Sequence, residues 1–386
     1  MVRTKQGLTV HPFTYSAVNS LRATSKPTRQ MVTELVDNSD DAGATEVKVL
    51  IIPSNDKHVQ SVIVSDNGCG MTFEQLQQSY GIGEITRPRR TTDHGKFGTG
   101  GTLYCLTHFD KKQTITRCNG EMSVREYDME VVESKDQYHS IPLDFSDEHQ
   151  ALWDAHSVSP DQDGTVIILA EPWGGRRGWT NCVAKTKTRL GMKYEDTLAR
   201  GNMKISVNGV DVEPICPTLH NHPDAKVQII PIALDGKVVC EAVVSTLYGV
   251  PSGDMAMGKN TSSEKKDFVM DEMSGIWVAR QDVLITEKPI WFGEGGLQST
   301  GKISSKSAYD RRTRILLKFT SEFDDLFGIS NGKDGVQIDQ SLSDKLAEEL
   351  RGPISANRQT YNLSRKVTKK KQESLGKELS EMSAKR

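Results

Sequence analysis

The chain has no run approaching the roughly 18 consecutive apolar residues that a helical membrane span requires, so no membrane role is expected. Its opening, MVRTKQGLTVHPFTY, lacks the apolar segment of a secretory signal, and the protein is expected to stay where it is made, in the cytoplasm or, in a nucleated cell, the nucleus. Cysteines are few and dispersed: Cys69, Cys105, Cys118, Cys182, Cys216 and Cys240 include no CxxC pair, which argues against a zinc ribbon or a disulfide framework and for reduced thiols. No sign of charge dominates. The 49 Lys and Arg stand against 51 Asp and Glu, leaving −2, so no global positive field draws the molecule to nucleic acid and any basic surface must be local. What is present, 36% hydrophobic and 26% charged residues with 32 Gly and 14 Pro, is the composition of a folded soluble protein and not of a collagen or a disordered chain. At about 150 residues per domain, the length suggests two domains and a tail.

From about residue 14 to residue 45 the pattern is helical and closes at Gly43; β-branched runs follow at 47–52 and 61–64. Residues 76–102 are rich in Gly, Thr and Arg and poor in large apolar side chains, which reads as a long functional loop. Apolar runs at 124–132 and 165–169 precede a helical pattern at 185–200. A second unit is expected to open near residue 202, where MKISVNGVDVEP alternates Ile205, Val207, Val210 and Val212 around the hairpin signal Asn208-Gly209. Another hairpin is expected over 227–244, turning on Asp235-Gly236, with Pro231 marking its first arm as an edge. Strand runs at 276–285 and 315–319 lie between loops at 251–272 and 293–310. A helix over 343–350, with Leu342, Leu346 and Leu350 one turn apart, is expected to close the unit and stop at Gly352-Pro353. The last stretch, SRKVTKKKQESLGKELSEMSAKR, reads as a charged, net basic tail, and the class is α+β.

Three stretches carry chemistry. In ELVDNSDDAGA, a spacing of about 100° per residue puts Glu34, Asn38 and Asp41 within about 60° of one another, opposite Val32, Leu35, Val36 and Ala42. A carboxylate one turn from a carboxamide suits activation of a water beside a hard cation; a solvated helix face capped by Gly43 is the plainer alternative. In VIVSDNGCGM, Asp66 ends a buried strand and can accept from an exocyclic amine, while Gly68 and Gly70 let a planar ligand approach the backbone. In GKFGTGGT, successive backbone N–H groups precede an apolar run, an arrangement that cradles phosphates.

In this order, with Gly164-Thr165 further on, these stretches resemble the GHKL ATPases, the superfamily of gyrase, the ninety-kilodalton heat-shock chaperone, histidine kinases and MutL. ELVDNSDDA is similar to that family's N-box, SDNGCGM to its adenine box, GKFGTGG to its lid box and Gly164-Thr165-Val166 to its late GT motif. The resemblance implies a Bergerat-type αβ sandwich that holds ATP between the sheet and a lid over about 76–102, together with Mg2+. It makes Glu34 the general base, Asn38 the magnesium ligand, Asp41 the magnesium-side aspartate, Asp66 the adenine acceptor and Thr165 its helper. It adds Gly68, Gly70 and Met71 on the adenine side, and Gly95, Lys96, Phe97, Gly98, Thr99, Gly100 and Gly101 on the phosphate side.

LGMKY at 190–194 with the IxVNGxxVxP hairpin resembles the start of a transducer-type, ribosomal S5-like domain, and RRTRILLKF with FDDLFGISNGKDGVQI its end. The implied limits are 1–190 for the ATP-binding domain, 191–355 for the transducer and 356–386 for the tail. Lys333 is the candidate for the lysine that meets the γ-phosphate, with Lys302 and Lys306 as rivals. One departure is Gly101, where the family carries a large apolar residue, which implies looser lid docking. The resemblance implies an ATP-hydrolysing, nucleotide-gated homodimeric clamp of the microrchidia and MutL style, with DNA met through the basic tail and Arg311, Arg312 and Arg314. A chaperone-like machine acting on protein partners, or a nucleotide-binding module with little hydrolysis, are the alternatives. A histidine kinase is not expected, because the N-box starts at residue 34, nor a complete gyrase-type topoisomerase, because no long domain follows residue 355. Arg87, Arg89, Arg90, His220, His222 and the Lys369–371 run read more simply as solvated loops and tail, and the five tryptophans as packing.

Overall fold

Alternation at residues 47–52 becomes a strand whose Val47, Val49 and Ile51 are buried while the side chains between them are less so. The computed structural model describes residues 9–10, 13–22, 28–81, 100–173, 178–221, 225–247, 273–286, 288–298, 303, 310, 313–329 and 335–384. The chain divides into two units, Met1–Ile215 and Cys216–Arg386. The first runs β1 (Thr9–Val10), α1 (Tyr15–Arg22), α2 (Thr28–Asp41), β2 (Glu46–Pro53), β3 (Val59–Asp66), α3 (Phe73–Gln78), α4 (Gly100–Leu106), β4 (Phe109–Cys118) and β5 (Glu121–Asp128). It continues with α5 (Met129–Lys135), β6 (His139–Leu143), α6 (Asp147–His156), β7 (Gly164–Pro172), α7 (Trp179–Lys193), α8 (Glu195–Ala199), β8 (Lys204–Val207) and β9 (Val210–Asp211).

These strands form one mixed sheet in the order β1-β6-β5-β4-β7-β3-β2-β8-β9. In its middle, β3 buries Val62, Ile63 and Val64 in succession, so it is covered on both faces. The two faces have separate cores. Val124 of β5 packs with Ile63, Ile115, Val166 and Trp153 of α6, whereas Tyr127, three residues on and so on the other face, packs with Val18, Leu76, Leu106, Val132 and Tyr138.

Helix α2 is enclosed nearly all round: Gln30 through Asp37 and Ser39 are buried, and only Asn38 is fully open. It stops as its sequence predicts, because Gly43 takes a left-handed φ of 75° and its N–H bonds the Asp40 carbonyl at 2.8 Å. Asp37, 1% exposed, accepts the Lys193 ammonium at 2.7 Å and the Tyr194 hydroxyl, which fastens the end of α7 to α2.

The hairpin at Asn208-Gly209 forms with positive φ at both residues, but it does not open the second unit. It extends the first sheet instead: β8 pairs in parallel with β2, Val47 opposite Ile205, and the Asn208 carboxamide both accepts from the Ile51 N–H at 2.8 Å and donates to the Ile51 carbonyl at 3.0 Å. Ile205 and Val207 are thereby buried. The run at 124–132 also divides, because Asp128 ends β5 and caps α5 by accepting the Glu130 N–H.

The second unit holds β10 (Ala225–Leu234), β11 (Lys237–Leu247), β12 (Gly275–Arg280), β13 (Val283–Leu284), β14 (Thr313–Phe319), α9 (Asp324–Phe327) and α10 (Gln340–Ala384). The sheet order is β10-β11-β14-β12-β13, so Pro231 does lie on an edge strand, and Asp235-Gly236 turns that hairpin with two positive φ values. The run at 276–285 splits into β12 and β13 at Gln281, whose φ is 57°. Leu342, Leu346, Leu350 and Ile354 on one face of α10 join Ile315, Leu317 and Phe327 in the core. The helix does not stop at Gly352-Pro353. It runs on to Ala384 through Pro353, because the next turn is held from outside: Asn357 bonds the Thr246 hydroxyl, and Arg358 grips the buried Asp310 carboxylate at 2.7 and 2.9 Å. The 356–386 stretch read as a tail is thus helical through residue 384.

Two outcomes follow. Pro353→Ala restores a helix N–H where none exists and is expected to raise the urea midpoint of unfolding, by up to about 3 kcal/mol of stability; a helix that truly ended at Leu350 would leave it unchanged. Lys193→Met strands a buried carboxylate and is expected to cost about 3–5 kcal/mol, whereas the double variant Asp37→Leu/Lys193→Met costs clearly less than the sum of the single changes in a denaturation cycle.

Candidate functional site

The site is built where β3 ends against the last turn of α2. Asp66, 8% exposed, accepts the Ser39 hydroxyl of α2 at 2.9 Å through one carboxylate oxygen and the Gly68 N–H at 2.9 Å through the other. Burial pushes this carboxyl above its ordinary value of 3.8, against the opposing pull of the bonds from Gly68 N–H, the Ser39 hydroxyl and the Thr165 N–H. The loop that follows is pinned at every step. Asn67 accepts from the N–H groups of Thr45 and Glu46 at 2.9 and 2.8 Å, and the Cys69 N–H donates to the Ala42 carbonyl at 3.1 Å. A Cβ on Gly68 would lie 2.8 Å from that of Ala42, and one on Gly70, at φ 63°, would collide with the Arg117 carbonyl. Glycine at both places lets the loop lie flat between α2 and the sheet.

Thr165 enters β7 opposite Asp66. Its hydroxyl is 3.2 Å from that of Thr116, which donates to the Gly164 carbonyl at 2.9 Å and accepts the Met71 N–H at 3.0 Å. The Thr116 proton being used on Gly164, Thr165 is the donor between the two hydroxyls, and its lone pairs remain to accept. Asp66, Gly68, Gly70, Met71 and Thr165 therefore come together.

Of the residues on α2, Glu34 is 6% exposed, Asn38 open and Asp41 half-buried, so they do not form one solvated face. A Cβ on Gly101 would sit 2.7 Å from the Asn38 amide nitrogen, so the start of α4 lies against Asn38. A side chain at 101 would require the open Asn38 carboxamide to swing aside. Gly100 opens the same helix. Gly95, Lys96, Phe97, Gly98 and Thr99 lie outside the described residues, as do Arg87, Arg89, Arg90, His222, Lys302, Lys306, Arg311, Arg312 and Lys333.

Three supporting side chains escaped the sequence reading. Ser39 is a buried hydroxyl on an otherwise apolar helix face, and Thr116 is a buried hydroxyl that follows Lys112 and Thr114 on one face of β4; a buried hydroxyl demands a partner, which was a usable signal. Lys112 of β4, 4% exposed, donates to the Thr102 hydroxyl at 3.1 Å with its ammonium 4.3 Å from the centre of the Tyr80 ring, and burial lowers its pKa. Thr102 in turn donates to the Ser79 carbonyl, so the first turn of α4 is tied to β4 and to the end of α3. Among the described residues no helix is long and apolar enough to cross a membrane, and the six cysteines are free.

Residues 26–165 match the family model described as "Histidine kinase-, DNA gyrase B-, and HSP90-like ATPase". Over 91 residues the chain is 34% identical to the DNA mismatch repair protein MutL of Nostoc punctiforme, covering 22% of this chain and 15% of that protein. It is 35% identical over 91 residues to the MutL of Trichormus variabilis, covering 22% of this chain and 16% of the relative, so the match spans less than a fifth of either relative. The matched segment contains α2, the Asp66 loop and β7 up to Thr165. Folded as a mixed sheet with helices, this matched segment supports a relation to the GHKL ATPase superfamily and to MutL, in an α+β fold consistent with the Bergerat type.

Proposed function

We propose that this chain binds ATP with Mg2+, hydrolyses it, and works as a nucleotide-gated homodimeric clamp in a process linked to DNA. The observation that carries the reading is the joint held by Asp66, which bonds Ser39 of α2 and the Gly68 backbone and so puts the acidic helix, the glycine loop and Thr165 in one place. Their donor set fits the nucleotide. The ionised Asp66 accepts the amine of adenine, Thr165 offers hydroxyl lone pairs beside it, and Gly68, Gly70 and Met71 present backbone to the ring. Gly100 and Gly101, with Gly95, Lys96, Phe97, Gly98 and Thr99 before them, take the phosphates.

Asn38 holds Mg2+ through its amide oxygen, with Asp41 one turn on; the ion, when bound, neutralises charge on the phosphate oxygens. Glu34, one turn before Asn38, takes a proton from the attacking water. The second unit then acts as the transducer. The relatives are DNA mismatch repair proteins, which supports the link to DNA, and the net charge of −2 confines any such contact to local basic surface.

Glu34→Gln is expected to lower ATP turnover about 10²–10⁴-fold while nucleotide still binds. Asp66→Asn is expected to weaken ATP binding about 10–100-fold, the worth of a hydrogen bond to a charged group. Because burial raises the Asp66 pKa, affinity in the wild type should be full at neutral pH and fall on acidification at a higher pH than an ordinary carboxylate would dictate, a fall that Asp66→Asn removes. Mass measurement should show a dimer with ATP and a monomer without it, and duplex DNA should raise turnover in a salt-sensitive way. Unchanged turnover in Glu34→Gln, with unchanged affinity in Asp66→Asn, would contradict the reading.

A further inference from the structure

We propose that Cys69 and Cys118 are a redox pair that closes to a reversible disulfide by exchange with a low-molecular-weight disulfide, fastening the glycine loop after β3 to the end of β4. Nothing in the nucleotide chemistry uses either thiol. The loop runs back over β4 residue by residue: Met71 bonds Thr116 at 3.0 Å, and Gly70 abuts the Arg117 carbonyl. One residue earlier in the loop and one later in the strand are Cys69 and Cys118. Both are free. Cys69 is exposed and Cys118 half-exposed, whereas Cys105, Cys216 and Cys240 are buried. The two thiols also feel each other, for Cys118 is pushed up by burial first and then by the nearby Asp163, Cys69 and Glu121.

The chemistry balances in two steps. The exposed Cys69 thiolate attacks a sulfur of the small disulfide and expels one thiolate, leaving a mixed disulfide on Cys69. The Cys118 thiolate then attacks the Cys69 sulfur and expels the second, so two protein thiols are oxidised and one small disulfide is reduced to two thiols. The surroundings of Cys118 set the pace of the second step. Asp163, which accepts the Asn119 and Gly120 N–H groups at 2.8 and 3.1 Å in the β4–β5 turn, and Glu121, opposite Cys118 in β5, are both anionic. The neighbouring Arg117 is turned to the Pro160 carbonyl at 2.9 Å. Closure should therefore lag at neutral pH and quicken as pH rises.

The consequence for nucleotide rests on the reading above. The staple begins three residues after Asp66 and draws the pinned loop toward the end of β4, displacing Gly68 and Gly70 from where their backbone would meet a ring, so the oxidised protein should bind ATP about tenfold more weakly, and a thiol reductant should restore it.

The test treats the full chain with oxidised glutathione near neutral pH and again at about pH 8.5, close to the ordinary thiol value, and follows intact mass and peptide cross-links. The expected result is a glutathione adduct on Cys69 at neutral pH that converts at higher pH to a Cys69–Cys118 linked peptide lacking two hydrogens and carrying no adduct. Cys118→Ser should stop at the adduct and Cys69→Ser should form no cross-link, with circular dichroism confirming that each variant is folded. A stable adduct on Cys69 with no cross-link at either pH, or a cross-link to another cysteine, overturns the proposal. ATP affinity is measured on reduced and oxidised protein separately. Failure of the reduced form to bind ATP counts against the proposed function and leaves the cross-link result to stand alone, whereas equal affinity in both forms overturns the staple's effect on the site.

Discussion

A carboxylate at the end of a buried strand is costly to hold, and the first unit is arranged around holding one. Asp66 is nearly sealed from solvent, and without partners its charge would cost several kcal/mol. The Ser39 hydroxyl, the Gly68 N–H and the Thr165 N–H supply those partners, and each belongs to a different element. Their identity explains the local sequence. Ser39 must face inward on a helix that is otherwise apolar on that side, Gly68 must let the chain turn back within two residues, and β7 must begin in register with the end of β3. Loss of any one leaves a buried charge with a missing bond.

The rest of the unit keeps that joint still. Helix α2 cannot rotate, because Asp37 on its far side is locked to Lys193 and Tyr194, and it cannot lengthen, because Gly43 ends it. The first turn of α4 abuts Asn38 through Gly101 and is tied below by Thr102 to Ser79 and Lys112. A ligand that binds at Asp66 and another group that acts at α4 thus share one helix between them. On the proposed reading, this shared helix couples the adenine end of a bound nucleotide to its phosphate end.

Much of this was legible in the residues and some was not. The two Asn-Gly and Asp-Gly turns, the edge placement of Pro231 and the end of α2 at Gly43 follow from local conformational preference, and local preference won. The clustering of Asp66, Gly68, Gly70 and Thr165 was readable from motif order. What local pattern could not supply was partnership at a distance. The 204–211 hairpin looked like a new start because its turn is self-sufficient, yet its free edge completes the sheet beside β2. Pro353 looked like a helix stop because nothing nearby in sequence announces the Asp310 and Thr246 contacts that carry α10 past it. Nothing in the local sequence sets Lys112 and Lys193 apart from other lysines, and only the fold reveals that each is buried against an acceptor.

The most direct test of the central claim, that Asp66 and its loop form the nucleotide seat of this chain, is hydrogen exchange followed by mass spectrometry with and without ATP and Mg2+. The account predicts that the amides of residues 66–71 and of the first turn of α4 slow together when nucleotide is added, and that Asp66→Asn abolishes both effects. Protection confined to other parts of the chain, or none at saturating nucleotide, would contradict it.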